Sequence, residues 1–235
     1  AAYRLADQFD QDILGYLSGY KQTTINGPAN VANTTTNGTV AVSTAGSDEL
    51  LSSMKLDAGS FGGSSGDAIA IQPRTGGATT AAPAAGDRNP LTVIARMSRL
   101  LDQQNVDTNG RWLILDPVFM EVLKDEDSRM FDADFGGSGL QNGLILNNLH
   151  GFKVYQSNNL PILGTGPSFA GTNSATNFGV IVAGHSSSVA TAEQINKTET
   201  YRDPDSFADI VRGMHLYGRK ILRPEAICTA AYHLA

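Results

Sequence analysis

Apolar positions along this chain alternate between helical and extended rhythms, set apart by long stretches of small polar residues. In residues 1–18, Leu5, Phe9, Ile13, Tyr16 and Leu17 recur at spacings of three and four, which aligns them on one helix face. Arg4, Asp7, Gln8, Gln11 and Asp12 fill the other faces. Gly15 weakens the last turn and Gly19 ends it. Helical spacing returns at Leu91, Ile94, Met97, Leu100 and Leu101. Asn89 can cap the free amides, and Pro90 suits the first helical position because it has no amide to leave unpaired. Together they predict a helix over 89–105. Asp107–Gly110 has turn chemistry. Trp112–Leu115 is a short continuous apolar run, as expected of a strand covered on both faces. Asp116-Pro117 repeats the cap-and-proline device and predicts a helix through Lys124, with Val118, Phe119, Val122 and Leu123 turned inward.

The rest is mostly extended. Phe152, Val154 and Tyr155 predict a strand that exits at Asn158–Pro161, and Gly179–Ala183 predicts a buried one. Residues 186–200 are strand-compatible and mostly polar. Residues 207–234 predict two more strands, with a turn at Tyr217–Arg219 and a stop at Arg223-Pro224. Gly, Ala, Ser, Thr and Pro supply 42 of the 66 positions from 21 to 86, so long loops dominate there. Two islands interrupt that segment: a short helix at Ser47–Leu56 capped by Ser47, and a short strand at Asp67–Pro73. Residues 164–177 form a further Gly/Thr/Asn loop. The mixture predicts an α+β fold.

With 235 residues, 41% of them hydrophobic, the chain can bury one large body or two small lobes. No run reaches the roughly 18 apolar residues of a membrane-spanning helix. The opening residues lack the features of a secretion signal and any helix-start residue, so the expectation is a longer parent chain. The single cysteine, Cys228, excludes an internal disulfide and reads as a buried strand residue suited to a reducing cytoplasm. The net charge of −6 and the scattering of 17 basic residues give no basic track for nucleic acid. An acidic surface would instead let DNA lie alongside without being gripped.

Reactive side chains do not converge in sequence. His150, His185, His215 and His233 lack metal-ligand spacing partners. His185 precedes Ser186, Ser187 and Ser188, which raises a Ser/His hydrolase, but no GxSxG elbow surrounds them. Asp125, Glu126, Asp127, Asp132 and Asp134 lack the order of a calcium loop and read as a solvated acidic loop. Gly136-Gly137-Ser138-Gly139 has no following Lys to hold phosphate. The NxT triplets at Asn33, Asn37 and Asn196 would matter only in a secreted protein. The expectation is therefore no enzyme, no catalytic or metal residues and no cofactor.

Four blocks in order carry a resemblance. LTVIARMSRLLDQQNVDTNGRWLILDPVFMEVLKDE resembles the core signature of tailed-bacteriophage major capsid proteins. NGLILNNLHGFKVYQSNNLP is similar to their next block, FADIVRGMHLYGRKILRPEAICTAAY to their closing strands, and RLADQFDQDIL to the end of their spine helix. The resemblance implies the Hong Kong 97-like capsid fold. It would place residues 1–87 and 185–223 in a peripheral lobe with the spine helix and a long sheet. Residues 88–184 and 224–235 would form an axial lobe with a central sheet flanked by helices. The family's N-terminal arm and extended loop would lie ahead of Ala1.

The function so implied is a coat protein that self-assembles, as pentamers and hexamers, into an icosahedral head around packaged double-stranded DNA. Portal, scaffold or cement proteins would be its partners, without specific DNA binding and without a membrane. It would be located in the virion capsid and assembled in the host cytoplasm. The alternatives are an encapsulin-like compartment shell, and a hydrolase using His185 and a nearby Ser. A tail or adhesin protein would carry long β-repeats, and internal repeats are absent.

Overall fold

The computed structural model describes residues 2–20, 50–71, 88–124, 148–163, 167, 178–202 and 209–234. In chain order the elements are α1 (Ala2–Ser18), β1 (Lys55–Leu56), β2 (Ile69–Ile71), α2 (Pro90–Gln103), β3 (Arg111–Leu115), α3 (Pro117–Leu123), β4 (Asn148–Leu149), β5 (Phe152–Gln156), β6 (Ile162–Leu163), β7 (Phe178–His185), β8 (Val189–Arg202), β9 (Asp209–Ile221) and β10 (Ile227–Leu234). Among the described residues, eight strands form one mixed sheet in the order β1-β10-β7-β3-β5-β4, with β2 also on β10 and β6 on β7. β10 runs antiparallel to β7 and parallel to β1 and β2. β3 runs parallel to β5 and antiparallel to β7.

Strand alternation divides the core into two faces. Leu113, Leu115, Ile181, Ala183, Cys228, Ala230 and Tyr232 point to one side, where they meet Val93, Ile94, Met97 and Leu101 of α2 and Phe119, Val122 and Leu123 of α3. Trp112, Ile114, Val180, Val182, Ile227 and Ala231 point to the other, where they meet Leu14, Leu17 and Tyr20 at the end of α1. The helices therefore cover both faces, which is why β7 and β10 are apolar at nearly every position.

Both cap-and-proline signals operate as read. Asn89 Oδ1 accepts from the Leu91 amide at 2.9 Å, and Asp116 Oδ1 accepts from the Phe119 amide at 3.2 Å. Each helix carries its proline at the first turn. The Asp107–Gly110 turn closes with Asp107 Oδ1 accepting from the Asn109 amide, and Gly110 takes φ 84°. Gly19, at φ 71°, ends α1. Cys228 is fully buried in β10.

Two expectations are corrected. No turn interrupts Tyr217–Arg219: β9 runs straight through, with Gly218 opposite Ala192 of β8, and the break comes at Leu222–Arg223. Ser47–Leu56 is not an α-helix where it is described. Ser52–Met54 makes a single 3-10 turn, and Lys55–Leu56 then pairs with Thr229–Ala230 of β10. Ser47 itself, the acidic run 125–134, the glycine run 136–139, Asn33 and Asn37 lie outside the described residues, as do all of 164–177 except Pro167.

Candidate interaction surface

Beyond the central sheet, β8 and β9 form a two-stranded ribbon, paired from Val189–Ile221 to Arg202–Asp209 with a shift of register at Glu193/Ile195. Only its base enters the core, through Ile221 and Val189. Helix α1 lies against one face of β9. Phe9 meets the Tyr217 ring edge-on at 4.5 Å between centroids and the His215 ring at 5.0 Å. The Tyr217 hydroxyl donates to Asp12 at 2.7 Å, and Arg219 forms an ion pair with the same carboxylate. The Arg219 guanidinium stacks 4.7 Å over Tyr16. His215 Nε2 lies 3.1 Å from the Glu193 carboxylate but is not aligned for a hydrogen bond. On its far side α1 is tied to the exit of β5, where Asn159 donates to Asp7 at 2.9 Å and accepts from Gln11.

Strand alternation then sends Met214 and Leu216 to the face away from α1. They are 56% and 49% exposed, and Tyr201 and Val211 are exposed towards the ribbon's outer end. Arg212 bridges Glu199 across the strands at 3.0 Å and stacks over Tyr201. Large apolar side chains on a ribbon that pairs with no further strand among the described residues suit contact with another surface.

The histidines stand apart from one another. His185 sits in the β7–β8 turn, with Nε2 at 2.8 Å from the Asn109 carbonyl and Nδ1 at 2.8 Å from Ser187 Oγ. A carbonyl can only accept, so Nε2 carries the proton and Nδ1 accepts from the serine. The Ser188 amide and hydroxyl both donate to the His185 carbonyl, closing the turn. The Ser/His pair raised by the sequence is thus real in distance, but it is an exposed two-residue turn contact that pins one loop to another. His150 takes φ 49° in the β4–β5 turn, and burial lowers its pKa. His233 lies on β10. Among the described residues, no group of three potential ligands could hold a metal ion, and no helix is long and apolar enough to cross a membrane.

Sequence reasoning missed the anchor at Arg111 and the second role of Asp116. Arg111 is buried, donates to the Asp107 and Val106 carbonyls, and pairs with Asp102 of α2 at 2.7 Å. Asp116 is buried too. It accepts from the Tyr232 hydroxyl as well as capping α3, and burial pushes its pKa up to about 6. Tyr232 lies 116 residues from Asp116, and Asp102 reaches Arg111 only because the turn after α2 folds the chain back, so neither pairing follows a helical or strand spacing.

The architecture is a mixed α+β body with a projecting ribbon, and solved phage structures share it. A chain of Mycobacterium phage Che8 is 24% identical with a TM-score of 0.57, covering 98% of this chain and 60% of that one. The capsid structure of the cyanophage P-SCSP1u gives 17% identity and a TM-score of 0.58 over 99% of this chain and 63% of that one. The mature capsid of bacteriophage PhiM1 gives 16% and 0.56 over 100% and 63%. At these identities the likeness is one of fold, and this chain spans less than two thirds of each. No curated protein sequence matches it. The family model described as phage capsid protein matches residues 1–230, and the chain belongs to that family.

Proposed function

We propose that this chain is the body of a major capsid protein, which self-assembles into the icosahedral head enclosing packaged double-stranded DNA. The observation that carries this reading is the family match over residues 1–230 on a body whose two-stranded ribbon exposes Tyr201, Val211, Met214 and Leu216. A shell subunit needs a rigid body and adhesive edges, because modest contacts repeated by symmetry add up to a stable assembly. The finer architecture is Hong Kong 97-like. Residues 1–87 and 185–223 form the peripheral lobe, with α1 as its spine helix, and residues 88–184 and 224–235 form the axial lobe. The partners are further copies of the chain in pentamers and hexamers, together with portal, scaffold or cement proteins. The site of action is the virion capsid, assembled in the host cytoplasm. The role is structural and not enzymatic: the His185–Ser187 contact serves the turn.

Electron microscopy of the purified full-length protein tests the reading. Closed, roughly spherical particles are expected. A monomer that persists at high concentration, with or without scaffold, would overturn it.

A further inference from the structure

The chain carries five methionines and one cysteine. Met54 and Met97 are fully buried in the core, and Met120 is buried beside them. Cys228 is buried in β10, and burial pushes its thiol pKa up, so no reactive thiolate forms there. Met130 lies outside the described residues. Met214 is 56% exposed, so among the described residues it is the one sulfur that stands open to solvent.

The setting of that sulfur is specific. Strand alternation puts Arg212, Met214 and Leu216 on one face of β9, the face turned away from α1. Across the ribbon Met214 sits opposite Lys197, and Arg212 sits opposite Glu199. Side chains so paired have their Cβ atoms about 5 Å apart. Lys197 and Arg212 both pair with the single Glu199 carboxylate. Two cations therefore share one anion, and the thioether lies directly across from one of them. A thioether is only a weak acceptor. A sulfoxide oxygen, with its large dipole, is a strong one.

We propose that Met214 is a reversible oxidation site for peroxides, and that the sulfoxide it forms is held by the Lys197 ammonium. The sulfur lone pair attacks one oxygen of hydrogen peroxide. An S–O bond forms as the O–O bond breaks, and the departing hydroxide takes the proton from the sulfur-bound oxygen and leaves as water. Sulfur gives up two electrons and the peroxide accepts them. A thioether has no proton to lose first, so exposure of the sulfur sets the rate. The product is polar and chiral where the side chain was apolar. Its oxygen points across the strands at Lys197, which then turns from the shared Glu199 carboxylate to the new acceptor. The ribbon face beside Leu216 thereby loses an apolar member and gains a dipole. Methionine sulfoxide reductases reverse the step, one enzyme for each epimer. This chemistry belongs to the single chain and needs no neighbouring copy.

The test treats unassembled full-length protein with dilute hydrogen peroxide and follows each methionine by peptide mapping and mass spectrometry. Met214 should gain its oxygen at least about tenfold faster than Met54, Met97 and Met120, which react only when the core opens. Equal rates, or a buried methionine ahead of Met214, would overturn the site. Met214→Leu keeps an apolar side chain of similar size at an exposed position, so it serves as the folded control. An NMR titration then reads the Glu199 carboxylate, which Lys197 and Arg212 hold below the ordinary range. Oxidation should move it up towards that range in the wild type and leave it in place in Met214→Leu. A wild-type Glu199 titration that oxidation does not move would overturn the pairing with Lys197. Treatment with both sulfoxide reductases should restore the original mass and titration, and a mark that neither enzyme removes would overturn its reversibility.

Discussion

The Tyr232 hydroxyl on β10 donates to the Asp116 carboxylate that caps α3, joining two elements 116 residues apart in sequence. The rings of Phe119 and Tyr232 meet edge-on at 5.0 Å directly beside it. One carboxylate thus caps a helix, binds a strand and sits out of water.

That burial gives the fold a pH signature. Asp116 holds its proton up to about pH 6, against 3.8 for an ordinary aspartate. Between those values the folded state binds more proton than the unfolded state, so stability falls as pH rises through the window. The expected loss is on the order of 2–3 kcal/mol from pH 4 to pH 7 from this group. Asn at 116 keeps an oxygen to accept from the Phe119 amide, turns an NH2 donor toward the Tyr232 hydroxyl, and cannot ionise. Urea unfolding of Asp116→Asn across this range should lack that fall, and an unchanged slope would show that Asp116 titrates normally.

Gly184 leaves room for Trp112. A Cβ there would meet the Trp112 ring at 2.7 Å and the Ala226 carbonyl at 3.1 Å. Gly184→Ala should cost about 1–3 kcal/mol, and Trp112→Ala about 3 kcal/mol. Because one substitution makes the room the other needs, the double variant should be more stable than the sum of the two costs implies. Additive losses in chemical denaturation would mean that the two residues do not share this space.

Asn89→Ala removes the acceptor that holds the Leu91 amide. A loss of about 1 kcal/mol is expected. Asn89→Asp should restore most of it, since aspartate caps equally well. Failure of Asp to rescue would assign the loss to something other than the cap.

Asp12 ties α1 to the ribbon through Tyr217 and Arg219. The pair is partly exposed, so Asp12→Ala should cost only about 1 kcal/mol, and added salt should narrow the gap from wild type. A gap that salt leaves untouched would assign the docking of α1 to the packing of Phe9 and Tyr16.

What the sequence discloses follows from range. Asn89-Pro90 and Asp116-Pro117 act within one turn, so both helix starts were legible, as were the apolar strands β3 and β7. The straight course of β9 was not. Gly218 looks like a turn residue until Asp12 and Tyr16 of α1 are seen holding Tyr217 and Arg219 in line. The stretch before Leu56 has local helical character, but Lys55 and Leu56 are claimed by β10. The stacking of Arg96 on Phe61 was equally hidden, because the two become neighbours only in three dimensions.

β10 accepts β1 and β2 on one side and β7 on the other. The consequence is one of timing. β1 and β2 leave the ribosome early and must wait for a strand made much later, so the sheet closes only after β10 emerges. Contacts so distant in sequence form slowly. Until then β1 and β2 lack the strand they pair with and remain open to mispairing.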